Sequence, residues 1–272
     1  MIRFPNAKIN LGLNIVSKRT DGYHNLETIF YPIGIKDAIE VIVSKGSADT
    51  FQNFGIPVDG PSEKNLVMRA LNQVREITNI PPLDISLHKA IPFGAGLGGG
   101  SADAAAMLLI LNEKFELQLS ETKLQELAAR LGADCAFFIK NKPVFATGIG
   151  NIFEEIELPL SDYYLVLVKP QIHVSTPDAY SMVVPTTPNI RLTDIIARPL
   201  AEWQSLMQND FEKSVFAKHP AIEAIKMKLI ENGALYAAMS GSGSSVFGIF
   251  ESAHNISCEE FPDCFVWQEQ LA

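Results

Sequence analysis

Between Pro92 and Leu109 the chain reads PFGAGLGGGSADAAAMLL, with Gly94, Gly96, Gly98, Gly99 and Gly100 inside seven residues and a run of alanine and leucine directly behind them. Glycine loses more conformational freedom on folding than any other residue. Outside a flexible linker, such a cluster marks a place where the backbone itself must approach something closely. The flanks define the setting. Leu83, Ile85 and Leu87 alternate with Asp84, Ser86 and His88, the period of a half-buried strand, and the segment from about Ser101 to Phe115 predicts a helix.

Three readings compete for this turn. Gly94-Ala95-Gly96-Leu97-Gly98-Gly99 satisfies the GxGxxG pattern of a dinucleotide fold, but that fold needs a second strand ending in an acid about 20 positions on. Here that region is LSETKLQEL, a second helical segment. A Walker loop needs Gly-Lys-Ser/Thr, and the first lysine downstream is Lys114. The third reading is a turn whose backbone N–H groups wrap a triphosphate while the next helix turns its positive end to the charge. Against it stands the plainer possibility that the glycines only permit tight strand-to-helix packing. Ser101 lies where the helix would begin and could cap it, ligate Mg2+ or touch a phosphate oxygen.

Composition bounds the partners. The 272 residues, 47% hydrophobic and 19% charged, suit one large or two ordinary globular domains. A net charge of -9 argues against general nucleic-acid binding, which rests on lysine and arginine against phosphate, so any phosphate site must be local. With no apolar run near the ~18 residues a bilayer requires, and no apolar leader, no membrane association is expected and the chain is read as cytoplasmic. Cys135, Cys258 and Cys264 are odd in number and lack CxxC spacing, and are read as reduced and structural.

Elsewhere, AKINLGLNIV and DAIEVIVS read as strands joined by KRTDGYHNLET, with Asp21-Gly22 as a turn. Lys64 to Ile77 carries one apolar helical stripe, Ser120 is a plausible N-cap for ETKLQELAARL, and DYYLVLV opens a second unit as a strand. Helical stretches are expected around Leu200 to Phe216 and from Ala221 to Glu231, stopped by Gly233. VVPTTPNIRLTD reads as a long surface connection, and ALYAAMSGSGSSVFGIF as two apolar runs around a small-residue loop. Neither this loop nor Gly99-Gly100-Ser101-Ala102-Asp103 supplies Gly-x-Ser-x-Gly, so nucleophilic serine chemistry is not expected.

Taken together, PFGAGLGGGSADAAA, MSGSGSSVFGIF near the C-terminus and PNAKINLGLNIVSKRTDGYHNLET near the N-terminus resemble the GHMP family of small-molecule kinases, in the family's order and over nearly the whole chain. GADCAFF and NDFEKSV fit the same resemblance. It implies an α/β chain with the α+β two-domain GHMP kinase fold. Residues 1–160 would form a ribosomal-protein-S5-domain-2-like domain and residues 161–272 a ferredoxin-like domain. It also implies ATP and Mg2+ as cofactors, and phosphorylation of the 2-hydroxyl of the methylerythritol moiety of a cytidyl diphospho sugar alcohol, on the non-mevalonate route to isoprenoids. Homoserine, mevalonate or galactose kinases of the same family are the nearest alternatives, and a non-catalytic ATP-binding regulator is a more distant one. A monomer or weak dimer is expected.

Site residues follow residue by residue from the resemblance. Asp134, in an apolar setting where an unpaired carboxylate is costly, is the implied catalytic base, though the residues alone equally allow a buried cap of a neighbouring helix. Lys8, on an alternating strand, is the implied catalytic lysine, pairing with Asp134; an isolated strand lysine is otherwise usually solvated. Pro92, Phe93, Gly94, Ala95, Gly96, Leu97, Gly98, Gly99, Gly100, Ser101 and Ala102 are the implied ATP loop, with Ser101 the candidate Mg2+ ligand. Tyr23 would stack on a cytosine ring and His24 bond its polar edge, with Asn10 nearby, Thr176 in contact and Tyr180 closing the second face. Ser240, Gly241 and Gly243 would let the backbone approach substrate. Two positions depart from the family pattern: Ala102 stands where a second serine is usual, and Gly148-Ile149-Gly150-Asn151 where Gly-x-Gly-Glu is common.

Overall fold

The computed structural model describes residues 1–58, 60–253 and 257–272, with Cys258 described for its backbone alone. The strands are β1 (Ile2–Arg3), β2 (Asn6–Lys18), β3 (His24–Lys36), β4 (Ala38–Val43), β5 (Thr50–Gly55), β6 (Leu83–Lys89), β7 (Val144–Thr147), β8 (Ile152–Glu155), β9 (Tyr164–Lys169), β10 (Tyr236–Met239), β11 (Val246–Phe250) and β12 (Phe265–Gln270). The helices are α1 (Leu66–Arg75), α2 (Gly99–Lys114), α3 (Glu121–Leu131), α4 (Phe137–Lys140), α5 (Thr176–Tyr180), α6 (Leu192–Ile196), α7 (Leu200–Leu206), α8 (Glu212–Lys218) and α9 (Pro220–Glu231).

Two compact units emerge, neither continuous in sequence. The first comprises residues 1–7, 35–93 and 98–142; the second comprises residues 8–34, 94–97 and 143–272. The first is a sheet in the order β1-β4-β6-β5 with α1 to α4. Its β6 alternates as expected, with Leu83, Ile85 and Leu87 buried, and it pairs antiparallel with β4 and parallel with β5. Helix α2 is buried on nearly every side, because alanines 102 and 104 to 106 let α1, α3 and α4 pack closely around it. The Ser120 hydroxyl accepts from the Lys123 amide and starts α3, as its position predicts.

The second unit holds two sheets. One, β10-β11-β9-β12, is antiparallel throughout. Numbered within the unit's last four strands, its order is that of a ferredoxin-like sheet, the class expected for this half. Its apolar core gathers Val166, Val168, Met239, Val246, Ile222 and Leu229, so α9 covers the face formed by the hairpin β10–β11. The other sheet runs β2-β3-β7-β8. Residues 6–7 and 35–36 of its long strands count with the first unit.

Several local expectations are corrected. KRTDGYHNLET does not simply connect two strands: from His24 it is already strand β3, whose first four residues are only half-buried and so carry no apolar alternation. Helix α2 begins at Gly99, two residues before Ser101, with Gly98 as N-cap in the left-handed region. Ser101 therefore does not cap the helix. The stretch from Leu200 to Phe216 is two helices, because residues 207–211 leave the helical path and Asn209 and Asp210 bond to neighbouring backbone.

Candidate active site

The glycine loop joins β6 to α2, and each unit holds part of it: residues 94–97 belong to the second unit, the rest to the first. Gly96 sits at φ +74°, and a Cβ there would overlap the carbonyl oxygen of Ser240. Gly98, at φ +71°, turns the chain into α2 with no side-chain cap. Ala102 N donates to Gly98 O at 2.9 Å, the first bond of the helix. The amides of Gly99, Gly100 and Ser101 precede that bond and have no intrahelical acceptor, which is the arrangement that draws an anion.

In the first unit the loop rests on buried charge. Lys89, at the end of β6, is ion-paired with Asp37 and, at 2.7 Å, with Asp103 in the first turns of α2. All three are at most 3% exposed. The second oxygen of Asp37 accepts from the amides of Ala90 at 2.6 Å and Ile91 at 2.8 Å, fixing the backbone where it enters the loop. Burial pushes the Asp103 carboxyl up to about 7 even though Lys89 draws it down. The sequence reading missed this triad. Its signal was an acid inside an alanine helix and a lysine closing an apolar strand, on either side of the glycines.

The cavity on this side has a volume of about 440 Å³ and runs from Phe93 at the loop's start to Gly100 and Asp103 at its end. Asp134 lies in the turn between α3 and α4 of the same unit, half-buried, with Cys135 N donating to Gly132 O at 3.1 Å. Burial pushes the Cys135 thiol up to about 11, although nearby Ser101 draws it down. That thiol stays protonated and unreactive at neutral pH.

In the second unit the loop is held by mostly neutral groups around one lysine. Lys8 is 3% exposed, so it does not point to solvent; its Nζ donates to Asn10 Oδ1 at 2.5 Å and to Gly96 O at 3.1 Å, and it lies over the Phe30 ring. Lys8 N also donates to Leu97 O at 3.0 Å. Asn10 Nδ2 donates to Thr28 Oγ1 at 2.9 Å, and Ser240 Oγ both donates to Gly96 O at 2.9 Å and accepts from Asn10 N at 3.2 Å. Lys8, Asn10, Ser240 and Gly96 are thus one cluster, with Gly241 packed against Asn10 and Gly96.

NDFEKSV braces that cluster. Asn209 Nδ2 donates to Met239 O and Gly241 O, and the Glu212 carboxylate accepts from Met239 N at 2.8 Å and from Lys226 at 2.6 Å. The SGSGSS segment is therefore a fixed hairpin loop between β10 and β11, with Gly243 at φ +86°.

The expected ring-binding residues form a second cluster. His24 stacks on Tyr180 with ring centroids 4.8 Å apart, and Tyr180 meets Phe211 edge-on at 4.7 Å. Tyr23, beside His24, is 63% exposed. Thr176 opens α5 behind its N-cap Ser175, four residues before Tyr180. Asn151 closes the turn between β7 and β8, accepting from Ile149 N at 3.2 Å. In this chain the departure at 151 has a local structural use.

The GHMP kinases N terminal domain family matches residues 65–142 and the GHMP kinases C terminal family matches residues 192–258, so the loop, Asp134 and the SGSGSS hairpin all fall inside matched segments. The chain belongs to the GHMP kinase family. Among its relatives, 4-diphosphocytidyl-2-C-methyl-D-erythritol kinase of Parabacteroides distasonis is 60% identical over the full length of both chains. A crystal structure of 4-(cytidine 5'-diphospho)-2C-methyl-D-erythritol kinase superposes with a TM-score of 0.84 at 31% identity over 98% of each chain. A homoserine kinase of Cytophaga hutchinsonii shares the fold, with a TM-score of 0.70 at 17% identity, over 98% of this chain and 94% of its own.

Proposed function

We propose that this chain transfers the γ-phosphoryl group of ATP to the 2-hydroxyl of 4-diphosphocytidyl-2-C-methyl-D-erythritol, giving the 2-phosphate and ADP in the non-mevalonate pathway. The observation that carries the reading is the loop itself: Gly96 is clasped by Lys8 and Ser240, and free amides follow at the start of α2. Phosphoryl transfer asks a protein mainly for alignment and for charge placed against the moving group. Main-chain amides from residues 92–102 take the phosphates. Lys8 contributes positive charge, and Asp134 accepts or orients the hydroxyl proton of the acceptor. Their pairing is part of the proposal.

The nucleoside fits the first-unit cavity, whose walls lead directly into the phosphate loop at Phe93 and Gly100. For the acceptor, Tyr23 and Tyr180 offer stacking faces to a cytosine ring and His24 a hydrogen bond to its polar edge, while Asn10, Thr176, Ser240, Gly241 and Gly243 offer hydrogen bonds or close backbone approach. No cluster of three or more metal-ligating side chains exists among the described residues. The donor set therefore suits a hard cation held chiefly by phosphate oxygens and water, as Mg2+ commonly is, with the Ser101 hydroxyl as its protein ligand. When bound, Mg2+ would neutralise phosphate charge.

The proposal further divides the chain at residues 160 and 161, supported by family matches falling on either side of that boundary. It sets the reaction in the cytoplasm, where ATP is available, on a monomer or weak dimer. ADP release measured at fixed ATP with the cytidyl substrate, homoserine, mevalonate and galactose tests it. Turnover with the cytidyl substrate alone is expected; turnover with another acceptor, or ATP binding without turnover, contradicts it.

A further inference from the structure

A helix running unbroken from Leu200 to Phe216 would satisfy its own backbone, yet between α7 and α8 the chain leaves the helical path and spends its polar groups elsewhere. Leu13 N donates to Gln208 O and Asp210 N donates to Leu13 O, both at 2.9 Å, while Asp210 Oδ2 accepts from Ile15 N at 2.6 Å. These bonds tie the segment to β2, the strand that carries Lys8 and Asn10. Its other side meets the hairpin. Asn209 is 3% exposed, and its Nδ2 donates to the carbonyls on either side of Ser240, Met239 O at 2.8 Å and Gly241 O at 2.9 Å. Its Oδ1 accepts from Phe211 N at 3.0 Å. Glu212, the next buried polar residue along, accepts from Met239 N at 2.8 Å and is itself held by Lys226 at 2.6 Å.

The amide of Asn209 is thus fully engaged by main-chain groups, and a buried side chain satisfied in this way acts by placing the backbone it binds. What it places is Ser240. The Ser240 Oγ donates to Gly96 O at 2.9 Å, and that same carbonyl accepts from Lys8 Nζ at 3.1 Å. We infer that Asn209 is a positioning residue for phosphoryl transfer, holding Ser240, and through it the Gly96 carbonyl and Lys8, in register with β2. This rests on the reading of Lys8 and the glycine loop as the transfer machinery. A displacement of about 1 Å among groups that must align costs about 100-fold in rate, so a side chain that touches neither substrate can govern kcat. The break in the helix has its use here: it brings one amide between two carbonyls of the hairpin.

The test is steady-state kinetics of the whole chain with MgATP and the cytidyl substrate, alongside thermal unfolding of each variant. Asn209→Leu is close in shape and removes the donors; kcat is expected to fall about 30-fold while both KM values move less than about threefold, the pattern of an interaction realised only in the transition state. Asn209→Ser keeps one donor and should lose about fivefold, so the outcome does not depend on the leucine variant folding. Glu212→Gln keeps an acceptor for Met239 N and should stay within about twofold of the wild-type kcat, where Glu212→Ala should lose about tenfold. Ile222→Ala opens a cavity in the core of the same unit and gauges plain destabilisation: its melting temperature should fall at least as far, with kcat unchanged. An unaltered kcat in a folded Asn209 variant would overturn the inference alone. So would a kcat loss in Ile222→Ala equal to that in Asn209→Leu, or KM values that rise while kcat holds. Absence of turnover in the wild type would remove the functional reading beneath, and the inference with it.

Discussion

The first unit anchors its share of the glycine loop with an ion-paired triad buried away from water, Asp37, Lys89 and Asp103; the second anchors its share with amides, hydroxyls and carbonyls around Lys8. The two devices should fail differently. A buried charged network is unforgiving, because removing one member strands the others without solvent or partner. A network of mostly neutral groups loses one bond at a time, each of modest net value. The contrast also separates roles: the triad has its charges occupied with one another, whereas Lys8 touches the loop backbone directly.

The largest effect is expected where the triad is broken at its centre. Lys89→Met leaves two buried carboxylates facing each other and should cost about 3–5 kcal/mol in urea unfolding. A loss below about 1 kcal/mol would mean that the triad is not the anchor described. Lys8→Met in the second unit should leave most of the stability in place but lower kcat about 100-fold, the usual worth of a well-placed electrostatic group, and Asp134→Ala in the first unit should lower kcat to a similar degree. Near wild-type turnover in either variant would remove that residue from the chemistry.

Between these lies the loop. Gly96→Ala places a side chain in the left-handed region and against Ser240, so it should cost about 1–2 kcal/mol from backbone strain alone and weaken ATP binding in a calorimetric titration with MgATP. Protons sharpen the comparison further. Asp103 titrates near 7 when folded, well above its ordinary value of 3.8, so between those limits the folded chain holds more protons than the unfolded one. Its contribution to stability therefore falls as pH rises from about 4 to about 7, and levels off above. Unfolding at pH 5 and pH 8 should show this decline in the wild type relative to Asp103→Asn; identical pH profiles would contradict it. Ser240→Ala, a single loss from the neutral network, should cost only about 1 kcal/mol with a few-fold rise in KM for ATP.

The loop and its two flanks were legible because each obeys a local rule: alternation along β6, positive φ at glycine, and a small-residue helix behind. The start of α2 was misplaced because a glycine in the left-handed region, not a serine cap, opens it. Strand β3 was hidden under a polar, half-buried start, and β7 and β8 are four residues each, too short for a period to declare itself. Among the site residues, Lys8 and the SGSGSS loop could be chosen from motif resemblance, but their common partner at Gly96 O could not. The triad was invisible for the same reason. Positions 37, 89 and 103 are brought together by β4 pairing with β6 and by α2 packing near β4, which are long-range contacts that no window of sequence contains.

The account stands on main-chain amides of the loop binding the phosphates of ATP. Protein labelled with 15N at its 18 glycines reports those amides individually in a heteronuclear NMR titration with MgATP. Selective shifts of Gly98, Gly99 and Gly100, absent when adenosine replaces ATP, are the predicted result. Loop amides that stay still while ATP binds elsewhere would contradict it.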